Sequence, residues 1–334
     1  MTSPRWHRLI PVVFITYSLA YLDRANFAFG VAGGMGKDLG ITPETSTLLS
    51  SLFFLGYFFF QIPGAIYAAK KSAKKLVFWS LILWGLCATA TGIITDVTWL
   101  IIIRFTLGIV ESAVMPAMLI FLSRWFTKKE RSRANAFLIL GNPVTILWMS
   151  ILSGYLLDAF GWRWMFIIEG IPAVAWAFVW WFIAEDQPNK AGWLPDEEKR
   201  SLQTQLQAEQ QNLKPMKNYA AMFKSKTVIL LSMQYFMWSI GVYGFVMWLP
   251  SIIKSAPSIG IVATGWYSSI PYLFAVIGML LASYFSDKLA NRKEFVWPLL
   301  FVGALAFYGS YLAGPENFWV SFALLTLAGM AMYA

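Results

Sequence analysis

Residues 76–95 read LVFWSLILWGLCATATGIIT and contain no charged side chain. An α-helix rises about 1.5 Å per residue, so a run of this length covers about 30 Å, the thickness of the hydrocarbon core of a bilayer. Lysines at positions 70, 71, 74 and 75 precede the run directly. The stretch is therefore predicted to be a membrane-spanning helix with a basic loop before it.

The composition of the whole chain extends this interpretation. Hydrophobic residues make up 58% of the 334 residues and charged residues 13%, whereas soluble domains carry about 25% charged residues. A soluble domain and a disordered chain are both excluded. One cysteine, Cys87, and one histidine, His7, cannot form a disulfide framework, a cysteine metal site or a multi-histidine metal site. The fold class is predicted to be an all-α polytopic membrane protein.

Apolar runs of similar length recur along the chain and predict about ten spans. Six come before a polar segment of some 40 residues, and four come after it. The predicted spans are 9–31, 46–68, 76–95, 98–123, 132–157, 164–184, 227–252, 265–285, 296–313 and 318–334.

The basic residues predict the orientation of these spans. If the N-terminus is cytoplasmic, 21 of the 26 lysines and arginines fall at its end or in cytoplasmic loops, as expected for cytoplasmic loops in general. This bias, together with contact with anionic lipid, accounts for the net charge of +9, so no nucleic-acid partner is expected. The predicted location is the inner or plasma membrane, with many passes and a cytoplasmic N-terminus.

The order of the spans predicts two related halves. Residues 1–184 are expected to form an N-terminal six-helix bundle, and residues 185–226 a cytoplasmic central loop with one short amphipathic helix. Residues 227–334 are expected to form a second bundle that holds four spans and is therefore incomplete. Basic loops after the second span of each half form a weak internal repeat, a feature of many secondary transporters. From this count, the chain is expected to be a truncated form of a twelve-span protein and a monomer.

Four ionisable residues inside predicted spans are the main functional candidates, since charges in a bilayer are costly. Asp23 and Arg24 are adjacent in the first span, whereas Arg104 and Glu111 lie seven residues apart on one face of the fourth. An arginine in a low-dielectric cavity binds a carboxylate with two hydrogen bonds, and a carboxyl group there can carry a proton. This set predicts an organic-anion site beside a proton site, although ion pairs that only fix helix packing would use the same residues. Glu169, in the sixth span, is a weaker candidate.

Polar side chains in the spans could complete an anion site, because hydroxyl and amide groups suit a polyhydroxylated ligand. The alternative is hydrogen bonding between helices, which is common in membranes. Asn142 precedes Pro143, where a broken helix would expose backbone groups. The candidates for substrate binding are Tyr21, Tyr57, Gln61, Asn142 and Tyr243.

No enzyme motif is found in the chain. A phosphate-binding loop, a Gly-x-Ser-x-Gly nucleophile turn and a His-Glu-x-x-His metal motif are all missing from the sequence. The protein is therefore expected to be no enzyme and to use no cofactor, with the proton as coupling ion and Na⁺ as an alternative.

Several motifs resemble the major facilitator superfamily and, within it, the anion:cation symporter family. They cover most of the N-terminal half, whereas the second half matches through shorter segments. The resembling segments are Tyr21-Leu22-Asp23-Arg24-Ala25-Asn26, Gly56-Tyr57-Phe58-Phe59-Phe60-Gln61-Ile62-Pro63-Gly64, Arg104-x3-Gly108-x2-Glu111, and Gly161-Trp162-Arg163-Trp164-Met165-Phe166-Ile167-Ile168-Glu169-Gly170.

The resemblance implies two six-helix bundles, alternating access and proton-coupled uptake of an organic anion such as a sugar acid, tartrate or an aromatic carboxylate. It implies that Arg24 holds the substrate carboxylate and that the Arg104–Glu111 pair couples protonation to binding, with Asp23 as a second proton carrier. The loop after the second span departs from the superfamily pattern, because Ala69 stands where an aspartate is usual.

Two other functions stay open at this point. An efflux antiporter for amphiphiles would have an apolar cavity and would not need Arg24. A degenerate transporter that acts as a sensor would bind a ligand without moving it. The residues do not identify the anion, because Arg24 specifies a carboxylate and nothing else of the molecule.

Overall fold

The computed structural model describes residues 3–211, 224–289 and 293–334. All regular structure in these ranges is helical, as predicted. Seven helical stretches are long and apolar enough to cross a membrane. One of them, Lys128–Ile183, turns back on itself at Gly161 and holds two spans. Together with the first helix and the 16-residue last helix, they account for the ten predicted spans.

The helices are numbered in chain order. Their bounds differ from the predicted spans by at most five residues, at the start of the first helix. They are α1 Pro4–Gly30, α2 Pro43–Lys70, α3 Ala73–Ile93, α4 Val97–Glu111, α5 Val114–Trp125, α6 Lys128–Ile183, α7 Asp196–Gln211, α8 Lys226–Lys254, α9 Ile261–Leu289, α10 Lys293–Ala313 and α11 Phe318–Tyr333. The helix α7 is the surface helix predicted in the central loop, of which residues 212–223 lie outside the described ranges. The proposed division at 184 and 226 stays a prediction.

The predicted fourth span is broken into two helices, α4 and α5. The break falls at Ser112 and Ala113, immediately after Glu111. Pro116 lacks a backbone N–H, and its ring excludes the carbonyl four residues earlier, at Ser112. The Ser112 carbonyl oxygen therefore accepts no backbone hydrogen bond from residue 116. The Ser112 hydroxyl donates to the Ile109 carbonyl oxygen at 2.7 Å. Glu111 is therefore the last residue of α4, at a point where the helix axis is interrupted.

The break that Asn142 and Pro143 suggested is missing, because α6 stays helical through both residues. The change of direction in α6 occurs at Gly161, with φ 75° and ψ 174°. This left-handed region of φ favours glycine. Residues 128–160 and 162–183 form the two antiparallel segments of α6.

Close contact between α2 and α4 brings their backbones together in the middle of the membrane. A Cβ atom on Gly56 would meet the Phe105 carbonyl oxygen, and one on Gly108 would meet the Phe53 carbonyl oxygen. Small residues allow such approach between membrane helices. The contact brings Phe53 of α2 beside Arg104 of α4.

The face that carries the N-terminus and α7 is called the basic face. Five charged residues there form a set of ion pairs, the basic-face clamp: Arg5, Arg124, Glu130, Asp186 and Glu198. Arg5 pairs with Glu130 at 2.8 Å and with Glu198 at 3.2 Å. It also donates to the Trp125 carbonyl oxygen at 2.7 Å.

Asp186, just after α6, compensates for the missing loop aspartate at Ala69. Its Oδ1 accepts hydrogen bonds from the backbone N–H of Ala73 at 2.8 Å and of Lys74 at 3.1 Å, at the start of α3. Arg124 pairs with the same oxygen at 3.2 Å and donates to the Ala69 carbonyl oxygen. An acidic group at a helix N-terminus is favourable, so this loop is anchored from the other end of the six-helix half.

The two halves touch near the opposite face, between α6 and α9. A Cβ atom on Gly154 would lie 3.2 Å from the Ile261 carbonyl oxygen and 3.3 Å from the Cα of Gly265. One on Gly265 would collide with the Ser150 carbonyl oxygen. The backbones of the two halves are therefore in direct contact at this position.

Candidate functional site

The charged residues of α1 and α4 meet in the interior of the N-terminal half. Nε of Arg24 donates to Oε2 of Glu111 at 2.6 Å, and the two side chains are 6% and 0% exposed. Asp23 and Arg104 are buried beside them. These four residues, Asp23, Arg24, Arg104 and Glu111, are called the inner charge cluster. The four candidate positions thus lie together, as the anion-site interpretation requires.

The pairing differs from the one implied by the family resemblance. Glu111 pairs with Arg24, and the described residues contain no ion pair between Arg104 and Glu111. The resemblance implied a pair of Arg104 with Glu111, whereas the spacing of seven residues along one helix already separates the two backbones by about 10.5 Å. The guanidinium of Arg104 lies over the rings of Phe27 at 4.2 Å and Phe53 at 5.0 Å. Its charge is compensated by Asp23 and Glu111 at longer range.

Asp23 lies between the carboxyl group of Glu111 and the side-chain amide of Asn26. Nδ2 of Asn26 donates to Oδ1 of Asp23 at 3.4 Å. The charge of Glu111 acts on the Asp23 carboxyl group, so the two acids are electrostatic neighbours. Two carboxylates this close repel each other when both are ionised, so a proton shared at this position stabilises the pair.

Aromatic side chains surround the guanidinium of Arg24. It lies 4.8 Å from the ring centroid of Tyr57 and 5.8 Å from that of Tyr21. Tyr243, on α8 of the second half, packs edge-on against Phe54 at 4.7 Å and lies near enough to Arg24 for an electrostatic interaction. Arg24 is therefore enclosed by both halves of the molecule, with ring faces that attract its charge.

A cavity of about 360 Å³ begins at Arg24 and extends toward the opposite face. Small-molecule sites in proteins start at about 300 Å³. The end of α8 contributes Met247, Trp248 and Ser251. Hydroxyl groups of α2 line the other wall: Thr42, Ser46, Thr47, Ser50 and Ser51. The cavity therefore combines one buried cation and a row of neutral hydrogen-bonding groups with an apolar wall that includes Phe27, Val31 and Phe54.

The inner charge cluster has hydrogen-bonding atoms left over. Nη2 of Arg24, Oδ2 of Asp23 and Oε1 of Glu111 are buried and have no hydrogen-bond partner among the described residues. The Nε atom of Arg104 is also buried without a hydrogen-bond partner in these ranges. Unsatisfied buried polar atoms are costly. A ligand carboxylate at the arginines and a proton at the acids would satisfy them.

The remaining candidates lie outside these contacts. Gln61 is half-buried one turn beyond Tyr57, and Asn142 is half-buried on α6 with its Oδ1 unpartnered. Neither contacts the inner charge cluster in the described part of the chain. The phenylalanines under the arginines, Phe27 and Phe53, were not predicted. The hydroxyl wall could have been found from Thr42, Ser46 and Ser50, which repeat every four residues along one face of α2.

Comparison with known proteins identifies the family. The model of the Major Facilitator Superfamily matches residues 13–334. A quinolone resistance transporter of Acinetobacter baumannii is 31% identical, over 98% of this chain and 75% of its own length. A candidate tartrate transporter of Agrobacterium vitis is 30% identical, over 97% of this chain and 73% of its own.

The fold agrees with this match. The crystal structure of a bacterial homologue of the human lysosomal transporter Spinster, inward-facing and unoccupied, superimposes with a TM-score of 0.75 at 17% identity. The superposition covers 100% of this chain and 74% of that one. These relatives are transporters and not enzymes, and the family resemblance seen in the sequence is confirmed. The chain belongs to the Major Facilitator Superfamily of membrane transporters.

Proposed function

We propose that this protein takes up a small organic anion together with protons, by alternating access between its two halves. The observation that carries the proposal is the buried ion pair of Arg24 and Glu111, 2.6 Å long, at the inner end of a hydroxyl-lined cavity. The pair links a group that binds anions to a group that binds protons. A new partner for Arg24 therefore changes the surroundings of Glu111, and a proton on Glu111 changes those of Arg24.

The pair suggests how a proton and an anion are coupled. While Glu111 is ionised, it occupies the Nε side of Arg24 and competes with any incoming carboxylate. A proton on Glu111 removes that negative charge, and Arg24 can then bind the substrate carboxylate with two parallel hydrogen bonds. When the proton leaves, Glu111 recovers Arg24 and displaces the anion. Each ligand therefore raises the affinity for the other, as coupling requires.

Electrostatics favours moving the two cargoes together. The inner charge cluster holds two cations and two anions when all four groups are ionised, so it is neutral. An anion that enters alone leaves a net negative charge in a medium of low dielectric constant, which is costly. An anion that enters with a proton keeps the cluster neutral. Asp23, in contact with Glu111, offers a second position for a proton.

The lining supports a hydroxylated acid as the substrate. Arg24 suits a carboxylate, and the hydroxyl groups of α2 and Ser251 suit the hydroxyl groups of a sugar acid or of a tartrate-like molecule. The relative from Agrobacterium vitis is named for tartrate transport. An aromatic carboxylate is the other class to test, because Tyr21, Tyr57 and Tyr243 could stack against a ring.

The contacts between the halves support movement about the site. Arg24 and the end of α8 in the other half line one cavity, and α6 meets α9 near the opposite face. Rocking of one half against the other would open and close these contacts in turn. Both halves would thus sense whether the site holds an anion.

Uptake into proteoliposomes under an imposed pH gradient tests the proposal. The panel holds tartrate, a hexuronate, an aldonate, an aromatic acid and the matching neutral sugar. We expect one acid to accumulate, and we expect Arg24→Ala to abolish its uptake while Lys37→Ala, which removes an exposed cation, does not. Accumulation that follows a Na⁺ gradient and ignores pH would contradict proton coupling.

Export of an amphiphile is the second candidate, because one relative is named for quinolone resistance. Export predicts that the Arg24→Ala variant keeps its transport activity. It also predicts that the substrate moves out of the cytoplasm while protons move in. A sensor predicts saturable binding of an acid without any flux. The same proteoliposomes, loaded on either side, separate the three functions.

A further inference from the structure

Glu169 is a buried carboxyl group that the proposed coupling does not use. It lies on the second segment of α6 and is 4% exposed. Ser153, on the first segment of α6, donates its hydroxyl hydrogen to Oε1 of Glu169 at 2.6 Å. The sharp turn at Gly161 brings these two residues, 16 apart in sequence, face to face.

Glu169 has no cationic partner among the described residues. The described residues contain no ion pair to it, unlike the arginine-rich surroundings of Glu111. The α3 helix packs against the same segment, with Thr89 beside Gly170, and its charged residues are confined to its first turn, at Lys74 and Lys75. An isolated ionised carboxylate in a dry interior is costly, and a bound proton removes that cost. Oε2 of Glu169 is buried without a hydrogen-bond partner, so its position suits a proton.

Asn26 connects Glu169 to the inner charge cluster. Its Nδ2 donates to Asp23 at 3.4 Å, and its side chain lies near enough to Glu169 for an electrostatic interaction with that carboxyl group. Asn26 is fully buried, and its own Oδ1 lacks a partner among the described residues. A protonated Glu169 adds a hydrogen-bond donor to a group of atoms that are mostly acceptors. A proton on Glu169 would therefore offer Asn26 Oδ1 a donor while Asn26 Nδ2 stays directed at Asp23.

Glu169 also lies just behind the contact between the two halves. Its partner Ser153 is adjacent to Gly154, where an added Cβ would lie within 3.3 Å of both Ile261 and Gly265 of α9. Separation of α6 from α9 at this position would bring water within one residue of Ser153. Protons from the opposite face could then reach Glu169 before they reach Asp23.

We propose that Glu169 is a further proton-binding group, which exchanges its proton when α6 and α9 separate and which is linked to Asp23 through Asn26. The groups that face it are Asn26 and Asp23 from α1 and Ser153 from α6. Proton binding at Glu169 is independent of the anion; only its contribution to uptake rests on the proposed symport.

Infrared spectroscopy of the purified full chain tests proton binding directly. Spectra of the wild type minus those of Glu169→Gln are recorded from acidic to alkaline pH, in the carbonyl-stretch region of protonated carboxylic acids. We expect a band from Glu169 at acidic pH that is lost at alkaline pH. Glu44→Gln, which removes an exposed carboxyl group, is the matched control. The spectrum of this variant should still contain the Glu169 band.

Ser153→Ala provides a second readout if Glu169→Gln folds poorly. Loss of a hydrogen bond at the carbonyl oxygen should shift the same band to higher frequency, an effect that a purely structural role would not produce. A difference spectrum without the band at every pH would overturn the proposal. A band that persists unchanged at every pH would overturn it as well, because the group would not exchange its proton.

Transport then separates this proposal from the proposed function. We expect Glu169→Gln to lose accumulation driven by the pH gradient and to keep exchange of the anion across the membrane. Normal accumulation in Glu169→Gln would exclude a contribution to coupling. If the wild type itself transports no acid while the infrared band titrates, the proposed function fails and the proton site remains.

Discussion

The basic-face clamp and the inner charge cluster contain nearly the same residue types but differ in how completely they are paired. In the clamp, Arg5 contacts two glutamates and a backbone carbonyl oxygen, and Asp186 receives three donors through one oxygen. In the cluster, each of the four residues keeps a buried atom without a partner in the described part of the chain. Fully paired charges hold helices together, whereas incompletely paired charges are available to a ligand. Substitutions in the two regions should therefore affect different properties.

The largest effect is expected from Arg24→Ala. This change removes the cation at the end of the cavity and leaves Glu111 without its partner. A charge-assisted contact contributes about 2–3 kcal/mol, so affinity for the acid should fall roughly 100-fold. Binding measured by calorimetry on purified protein checks this value. Affinity within a few-fold of the wild type would show that the cluster is a packing device like the clamp.

Glu111→Gln should separate binding from proton coupling. The amide keeps the shape of the side chain but neither competes for Arg24 with a full charge nor binds a proton. We expect exchange of the acid to persist and accumulation against its gradient to be lost. Counterflow and gradient-driven uptake in the same vesicles measure the two activities. Uphill accumulation at the wild-type level would remove Glu111 from the coupling mechanism.

Gly265→Val tests the contact between the halves. The added side chain would collide with the Ser150 carbonyl oxygen, and overpacking costs about 1–3 kcal/mol. The closed contact should therefore be less populated. In a Cys87→Ser background, Ser46→Cys should react faster with a thiol reagent applied from the opposite face. Gly192→Ala, where an added Cβ meets nothing within 4 Å, is the matched control.

Asp186→Asn should reduce stability and leave coupling intact. The change removes an ion pair with Arg124 and weakens the cap of α3. Loss of a helix cap costs about 1 kcal/mol. Thermal unfolding in detergent should show a lower midpoint, while uptake per folded molecule stays at the wild-type value. A loss of proton coupling in this variant would contradict the assignment of stability to the basic-face clamp and of transport to the inner charge cluster.

The smallest effect concerns pH and the clamp residue Glu130. Burial raises the pKa of Glu130, but hydrogen bonds from Thr127 and the charge of Arg5 outweigh it, so this pKa lies below its ordinary value. A carboxyl group whose pKa is lower in the folded state stabilises the fold above its unfolded pKa and loses that contribution as pH falls through the folded pKa. Acidification below the ordinary glutamate range should destabilise the wild type more than Glu130→Gln. Parallel unfolding curves of the two proteins would contradict this.

The sequence was sufficient for the elements of the fold. Charge-free runs such as 76–95 predicted the spans within a few residues. The reason is that the thickness of a bilayer requires about 20 consecutive apolar residues, and such runs are visible in the sequence. The four residues of the inner charge cluster could be named for a similar reason, since charges within such runs are rare.

Their pairing could not be predicted. The family resemblance implied Arg104 with Glu111, but the partner of Glu111 is set by how α1 crosses α4, which no local sequence pattern records. The substitution at Ala69 is similar: the compensating aspartate is Asp186, which is 117 positions away in sequence. The two prolines also behave differently, because α6 stays helical at Pro143 whereas the fourth span breaks four residues before Pro116.

The neutrality of the inner charge cluster has a consequence for voltage. When its four groups are ionised and the site is empty, reorientation of the halves carries no net charge through the membrane, so the electrical potential does no work on that step. The same holds when a monovalent acid and one proton are bound. A potential would act on the cycle only when the cargo itself is unbalanced, for example a divalent acid with a single proton. Current recorded alongside uptake would therefore count protons per anion.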